Sequence, residues 1–424
     1  MEETFLQQVL GAFYDSGKYL LVLFPLVLPF MLVYIFWIVR FRWLTMKFVE
    51  KQKSCLLQIK LPKEIFKSPA AMELFFSQLV PGGAGGYAEA FLDGKTRPWF
   101  SCEIVSIEGE VRFYVWCSQA KFKNLIEAQL YAQYPNIEIY EAKDYTENVK
   151  FDTDKNNMYT VQFALTEADP LPIKTYIDYG LDKDQKDEYK IDPMTSVLEF
   201  LGSLKKGENV WFQILFQKYE TPDIKHGTFK KEKKLKDQTK EQIEKIRKEA
   251  APPKSDDKDA LKFPNPTKGQ NERIAAIERT ANKTPFECMI RGLYIAEKGS
   301  FNPINIAGLM GAFKQYNSGS LNGFKPGTVS DVSDSRHDFA AILPFVGESN
   351  EKKIYGIKKS MFYAYKLRSY FQWPYKNYGG KKPFILTTEE LSTIFHFPSG
   401  MVSQTPTLKR VGSKKSEAPS NLPI

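Results

Sequence analysis

An α+β protein tethered to a membrane by an N-terminal helix is the fold class this sequence predicts, and three observations predict it. The first is an uninterrupted apolar stretch, Tyr19 to Val39, reading YLLVLFPLVLPFMLVYIFWIV between Lys18 and Arg40. The second is a strand, helix, strand, strand, helix, strand order over residues 54–150. The third is a looser return of that order over 151–326, broken by a charged insertion at 219–284. Together they give a transmembrane helix followed by tandem ferredoxin-like (split βαβ) domains with a charged helical insertion.

At 1.5 Å per residue the apolar stretch is roughly 30 Å long, about the thickness of a bilayer's hydrocarbon core. Pro25 and Pro29 lie four apart and kink such a helix, which membrane helices tolerate when neighbouring groups satisfy the freed carbonyls. A buried core helix would carry polar positions on one face, and a cleaved signal peptide would have a basic leader and a small-residue cleavage site. Neither pattern is present. Before the span lie Glu2, Glu3, Asp15 and Lys18; after it come Arg40, Arg42, Lys47, Lys51 and Lys53. Basic residues next to a span stay on the cytoplasmic side, so residues 1–18 are expected outside, 19–39 in the cytoplasmic (inner) membrane as a single pass, and the remainder in the cytoplasm. Residues 40–53 form a basic juxtamembrane segment, and Trp37 and Trp43 suit an interfacial belt.

The chain is 43% hydrophobic and 26% charged, which is the composition of a folded protein. Its net charge of +9 favours anionic partners, lipid headgroups or nucleic acid, without choosing between them. Cys55, Cys102, Cys117 and Cys288 form no CxxC pair, so neither a disulfide framework nor a zinc site is indicated.

In the first repeat, Ser54 to Leu61 reads as a strand ended by Pro62. Ser68 caps a helical run in which Met72, Phe75, Phe76 and Leu79 share one face. After the Gly-rich loop Pro81 to Gly86, two alternating strands, Trp99 to Ile107 and Glu110 to Cys117, meet at a tight turn at Glu108-Gly109. A helix over Lys121 to Tyr134 and a strand over Ile137 to Tyr140 complete the unit. In the second, Met158 to Leu165 is a strand, Asp192 caps the helix PMTSVLEFLGSL, and Asn209 to Lys218 is a strand. A strand over Phe286 to Ala296, a helix near Asn302 to Tyr316 and a short strand around Leu321 to Phe324 follow the insertion.

The insertion holds nine Lys/Arg and five Asp/Glu between Lys230 and Ala250. Glu241-Lys245 and Glu244-Lys248 have helical spacing, so it reads as a two-helix projection with a Pro-rich tip, either a solvated face or a partner surface. Residues 327–399 form a C-terminal extension. In it Lys352 to Tyr378 is rich in Lys, Tyr and Phe, and Thr387 with Glu390 has the spacing of a capping box. Residues 400–424 read as a linker or disordered tail.

No chemistry stands out: no catalytic, cofactor-binding or metal-binding residue is expected. Asp93-Gly94-Lys95-Thr96 after PGGAGG suggests a phosphate loop, but Glu89 stands where a Walker A glycine is required, and a strand follows where a helix should open. The chain has three histidines, His226, His337 and His396. Asp331, Asp334, His337 and Asp338 match no metal or nucleophile spacing, and His396 reads as a cap on helix-end carbonyls. Alternation over Glu110 to Cys117 puts Arg112, Tyr114 and Trp116 on the face away from the helices. An RNA-binding sheet would use such a face, yet the Lys/Arg-Gly-aromatic strand signature is missing, and packing against other protein is the expected use.

From the N-terminal span through GKTRPWFSCEIVSIEGEVRFYVW (Gly94 to Trp116) and LTTEELSTIFHFPS (Leu386 to Ser399) to TPTLKRVGSKKSEAPSNLPI, the chain resembles a particular group of proteins. These are the N-terminal regions of uncharacterised bacterial membrane proteins related to type IV secretion and conjugative DNA-transfer ATPases. In those relatives the terminal stretch leads into a P-loop motor, whereas this chain ends at Ile424 without Walker motifs. The resemblance therefore implies a non-catalytic scaffold or docking module that positions a P-loop ATPase, on a separate chain or lost from this one, at the cytoplasmic face of the membrane. Its implied partners are the lipid bilayer, that ATPase, DNA and a second copy of itself. The alternative is a membrane-tethered nucleic-acid-binding protein.

Overall fold

The computed structural model describes residues 2–62, 67–80, 89, 92–183, 191–220, 235–250, 266–330, 350–380 and 382–398, with side chains of the N-terminal helix from residue 24 onward. Two units emerge. One comprises Met1–Lys51 with Ala84–Thr96, the other Gln52–Gly83 with Arg97–Ile424.

The first unit is built on α1, Glu2–Lys51. The part beginning at Phe24 is long and apolar enough to cross a membrane, and none of its most apolar window is buried by protein. Arg40 lies over the ring of Trp37 and Lys47 over that of Trp43, cation–π contacts along the basic end of the helix.

In the second unit one antiparallel sheet of nine strands carries everything else. In chain order its elements are β1 Cys55–Lys60, α2 Ala70–Gln78, β2 Trp99–Ile107, β3 Glu110–Cys117, α3 Lys123–Gln133, β4 Glu138–Glu141, β5 Asn156–Leu165, α4 Pro193–Gly202, β6 Glu208–Lys218, α5 Leu235–Glu249, α6 Lys268–Ala281, β7 Pro285–Glu297, α7 Ile304–Gly311, β8 Phe324–Val329, α8 Asn350–Lys366, β9 Phe384–Thr387 and α9 Thr388–Ile394. The strand order is β4-β1-β3-β2-β6-β7-β5-β8, with β9 also pairing to β7. β2 and β6 join the two halves along their full length, from Trp99 opposite Gln217 to Ile107 opposite Asn209. Residues 54–150 and 151–330 therefore contribute to a single sheet. The helix pair α5 and α6 is inserted between β6 and β7, and the last strand runs later than its sequence suggests, over Phe324–Val329.

Alternation decides the two faces of this sheet. On one, Phe100, Cys102 and Ile104 of β2, Phe113 and Val115 of β3, Phe212, Ile214 and Phe216 of β6 and Ile290 of β7 are buried. Met72, Phe75 and Phe76 of α2, Ile126 and Leu130 of α3, Leu198 and Leu201 of α4 and Leu391 and Ile394 of α9 pack with them in one apolar cluster. The opposite face is covered by α8 and the residues after it. Trp211 of β6 meets the Tyr365 ring, and Thr160 of β5 bonds to the Met361 sulfur at 2.8 Å. The Lys-, Tyr- and Phe-rich part of the extension is thus a lid of the chain's own making.

Candidate functional site

The covered face carries a polar row that crosses the sheet at a single register. Gln58 of β1 stands opposite Tyr114 of β3, which stands opposite Glu103 of β2. Glu103 stands opposite Gln213 of β6, Gln213 opposite Arg291 of β7, Arg291 opposite Gln162 of β5, and Gln162 opposite Thr328 of β8. From Tyr114 to Gln162 every member is at most 2% exposed. Buried ionic and amide groups need partners, and the extension supplies the central one.

Arg368, two residues beyond α8, enters this row with a left-handed backbone (φ 46°). Its Nε donates to Glu103 Oε1 at 3.0 Å and its Nη2 to Glu103 Oε2 at 3.1 Å, a bidentate pair, while Nη1 bonds to Asp144. Glu103 accepts further bonds from Ser101 Oγ, Gln213 Nε2 and Tyr145 OH at 2.8–2.9 Å. Burial opposes the Arg368 charge, but Glu103 and Asp144 outweigh it and hold the guanidinium firmly protonated. At Asp144 burial raises the pKa, yet the bonds from Arg368 bring it below the usual carboxylate range. Arg291 is less well served. Its Nη2 donates to the Ser369 carbonyl at 2.9 Å, Nε and Nη1 make no bond among the described residues, and burial pulls its pKa down to about 10. Among the described residues Gln162 uses neither amide atom, and Gln213 Oε1, Gln217 Oε1 and Trp211 Nε1 likewise find no partner.

A second feature is a cleft of about 500 Å³ at the root of α5 and α6, lined among others by Asp169, Tyr219, Lys236, Lys283, Thr387 and Glu390. Glu390 is fully buried there, and burial lifts its pKa to about 7 against the bonds it accepts. A carboxyl poised near neutrality suits general acid–base work. Its oxygens are already engaged, however: Oε2 accepts from Thr387 N at 2.8 Å and Oγ1 at 2.9 Å, and Oε1 from Ile173 N at 3.0 Å. The capping box is formed, and it accounts for Glu390 without a substrate. Around it the insertion is locked to the body of the unit, with Arg279 Nε of α6 on Glu389 Oε1 at 3.0 Å and Lys283 Nζ on Glu73 Oε1 of α2 at 2.6 Å.

Gly94 has φ 66°, and an added Cβ would sit 2.5 Å from the Leu44 carbonyl carbon of α1, so this glycine serves a close helix approach. Lys95 pairs with Glu89 at 2.8 Å in solvent. Tyr114 and Trp116 are buried at 2% and 7% exposure, the latter beneath the Arg368 guanidinium. His396 Nδ1 lies 3.0 Å from the Ser392 carbonyl, the end of α9, and its Nε2 lies 3.0 Å from Asp192 Oδ1. Asp192 in turn caps α4 through Met194 N. Burial lowers the histidine pKa, but Asp192 more than compensates and raises it. The loop 81–86, His226 and the cluster Asp331, Asp334, His337 and Asp338 lie outside the described residues, as does the tail 400–424. Sequence reasoning missed Arg368 and its partners. A signal exists, since an arginine following a helix whose cations are all lysine marks a place where bidentate geometry matters more than charge.

Among the described residues no group of three or more His, Cys, Asp and Glu could hold a metal ion. The class this defines is an α+β protein with one N-terminal apolar helix and a nine-stranded antiparallel sheet, closed on both faces by its own chain. Residues 86–410 match the model of a domain of unknown function, DUF8128, and the chain belongs to that family. No curated protein matches it.

Proposed function

We propose that this chain is a membrane-anchored, non-catalytic scaffold of a type IV secretion or conjugation-like apparatus. In this reading it holds a P-loop ATPase, carried on a separate chain, at the cytoplasmic face of the membrane, with α1 as a single-pass anchor. The observation that carries it is the pairing of a protein-unburied apolar helix with a sheet whose two faces are already occupied by its own elements. An anchor joined to a closed platform suits holding better than turnover. The strand order supports two fused split βαβ units, because reading outward from the β2 and β6 junction each half runs second, third, first, fourth. Docking then falls to the charged α5 and α6 pair and to residues 400–424.

Tagging the full chain at its N-terminus, crosslinking it in native membranes and identifying partners by mass spectrometry tests this. A P-loop ATPase linked through residues 400–424 supports the scaffold. Recovery of nucleic acid alone would shift the reading to a tethered nucleic-acid-binding protein, and turnover by the purified chain alone would overturn the non-catalytic role.

A further inference from the structure

We propose that the outward face of α8 is a second membrane contact, a basic and aromatic surface that docks on an anionic lipid leaflet. The inference rests on the membrane-anchored reading above. Between residues 350 and 366 the sequence has five lysines and one glutamate. The helix turns Met361, Phe362, Ala364 and Tyr365 inward, where all are buried. What remains outside is ordered: Lys352, Tyr355, Lys359, Tyr363 and Leu367 are all exposed, at successive spacings of three, four, four and four, a single stripe along the helix. Tyr355, Tyr363 and Leu367 are 44%, 39% and 52% exposed. Lys358 and Lys366 flank the stripe, half-buried, with Lys366 lying 5.5 Å from the centre of the Phe362 ring.

Two considerations choose lipid over other anions. Lysine, tyrosine and leucine in one stripe match the headgroup boundary, where ammonium groups meet phosphate, tyrosine rings settle at the interface and an aliphatic tip enters the acyl edge. The tether also counts, because only residues 52–54 separate α1 from β1, and so short a link raises the effective concentration of the sheet unit at an anchored helix's leaflet. That leaflet, where basic flanking residues collect, is the negatively charged one.

The test uses the full chain in nanodiscs, with Tyr363→Cys carrying an environment-sensitive fluorophore. The four native cysteines are buried, so the new thiol labels selectively. Discs of phosphatidylcholine are compared with discs containing phosphatidylglycerol, both with a headgroup spin-labelled lipid as quencher. A label at Tyr131→Cys, exposed on α3, serves as control. Quenching and a blue shift at position 363 in anionic discs only, reversed by salt, are expected. Replacing Lys358, Lys359 and Lys366 by Gln should weaken the contact on the order of a hundredfold, at about fivefold per charge. Equal signals in both lipids, equal quenching at position 131, or a response to single-stranded oligonucleotide that anionic lipid does not produce would each overturn it. Carbonate extraction separates the two readings. A chain that stays in the bilayer without quenching at position 363 refutes only the α8 contact, whereas a chain that washes out refutes the anchor.

Discussion

The two faces of the sheet are closed by opposite means. On the helix side, rings interlock without directional bonds: Phe216 lies 5.3 Å from Phe76, 5.5 Å from Phe100 and 5.6 Å from Phe286. Such aromatic pairs add about 0.5–1.5 kcal/mol each beyond the area they bury, and they tolerate small shifts. On the α8 side rings also meet, Trp211 with Tyr365, but a charged and amide-bearing row runs beneath them: Arg368 pairs with Glu103, Arg291 reaches the Ser369 carbonyl, and several polar atoms of this face find no partner among the described residues. Each such group costs about 1–3 kcal/mol when it is left dry, so this cover is held at a defined position but less tightly. The apolar face supplies most of the stability. The polar face fixes where the extension sits.

The sharpest way to break this comparison is at its centre. Replacing Arg368 by Leu strands Glu103 in a fully buried setting, takes a partner from the half-buried Asp144, and should cost about 3–5 kcal/mol in urea unfolding of the detergent-solubilised chain. Adding Glu103→Leu to that variant should recover much of the loss, because an ion pair removed whole is cheap to replace. A loss below about 1 kcal/mol for Arg368→Leu alone would mean the cover is held by something else. On the apolar face, Leu201→Ala in α4 should cost about 2–5 kcal/mol, and no second substitution in the polar row should restore it.

Acidity sharpens the comparison further, because the titrating groups near α9 push the same way across neutrality. The folded pKa of Glu390, about 7, lies above its ordinary value, so the folded state holds that proton more tightly and stability falls as pH rises toward and through that value. The raised pKa of His396 adds stability that is complete below its ordinary range and is lost as pH climbs past the folded pKa. Asp192, held below the usual range despite its burial, contributes at the acid end and loses its share only as pH falls through its depressed pKa. Unfolding should therefore be easier at about pH 8.5 than at about pH 5.5. Glu390→Gln keeps one acceptor oxygen for the capping box but turns its NH2 onto the Ile173 N–H, so it should lower stability at both pH values while flattening the difference between them by on the order of 1 kcal/mol. The smallest effect belongs to Lys95→Ala, which breaks an exposed pair and should change stability by less than about 1 kcal/mol. Titration of wild type and variant with ATP should give no binding isotherm in either.

Much of the sheet could be read from the chain in advance, since β2, β3 and β6 alternate cleanly and the helices of the first half carry their apolar residues three and four apart. The capping roles of Asp192, Thr387 and Glu390 were legible for the same reason, because caps are local. What was not legible depends on partners far along the chain. Glu103 and Arg368 are 265 residues apart, and Asp192 and His396 are 204 apart. Each residue alone has an ordinary local explanation. The fusion of both halves through β2 and β6 was hidden too, because an edge strand and a central strand of this length have the same alternation. Tyr114 and Trp116 illustrate the cost: alternation places them on the face away from the helices, but the cover of that face lies beyond the second half, in a helix whose sequence carries no mark of which strands it meets.

Native-state hydrogen exchange of the full chain in nanodiscs, resolved by residue, measures the contrast between the faces directly. The amides of α8 and of residues 367–376 should exchange together through an opening that costs less than global unfolding, while β2, β6 and α4 remain protected. Exchange of α8 only in step with β6, or earlier opening of the helices on the apolar face, would contradict the account.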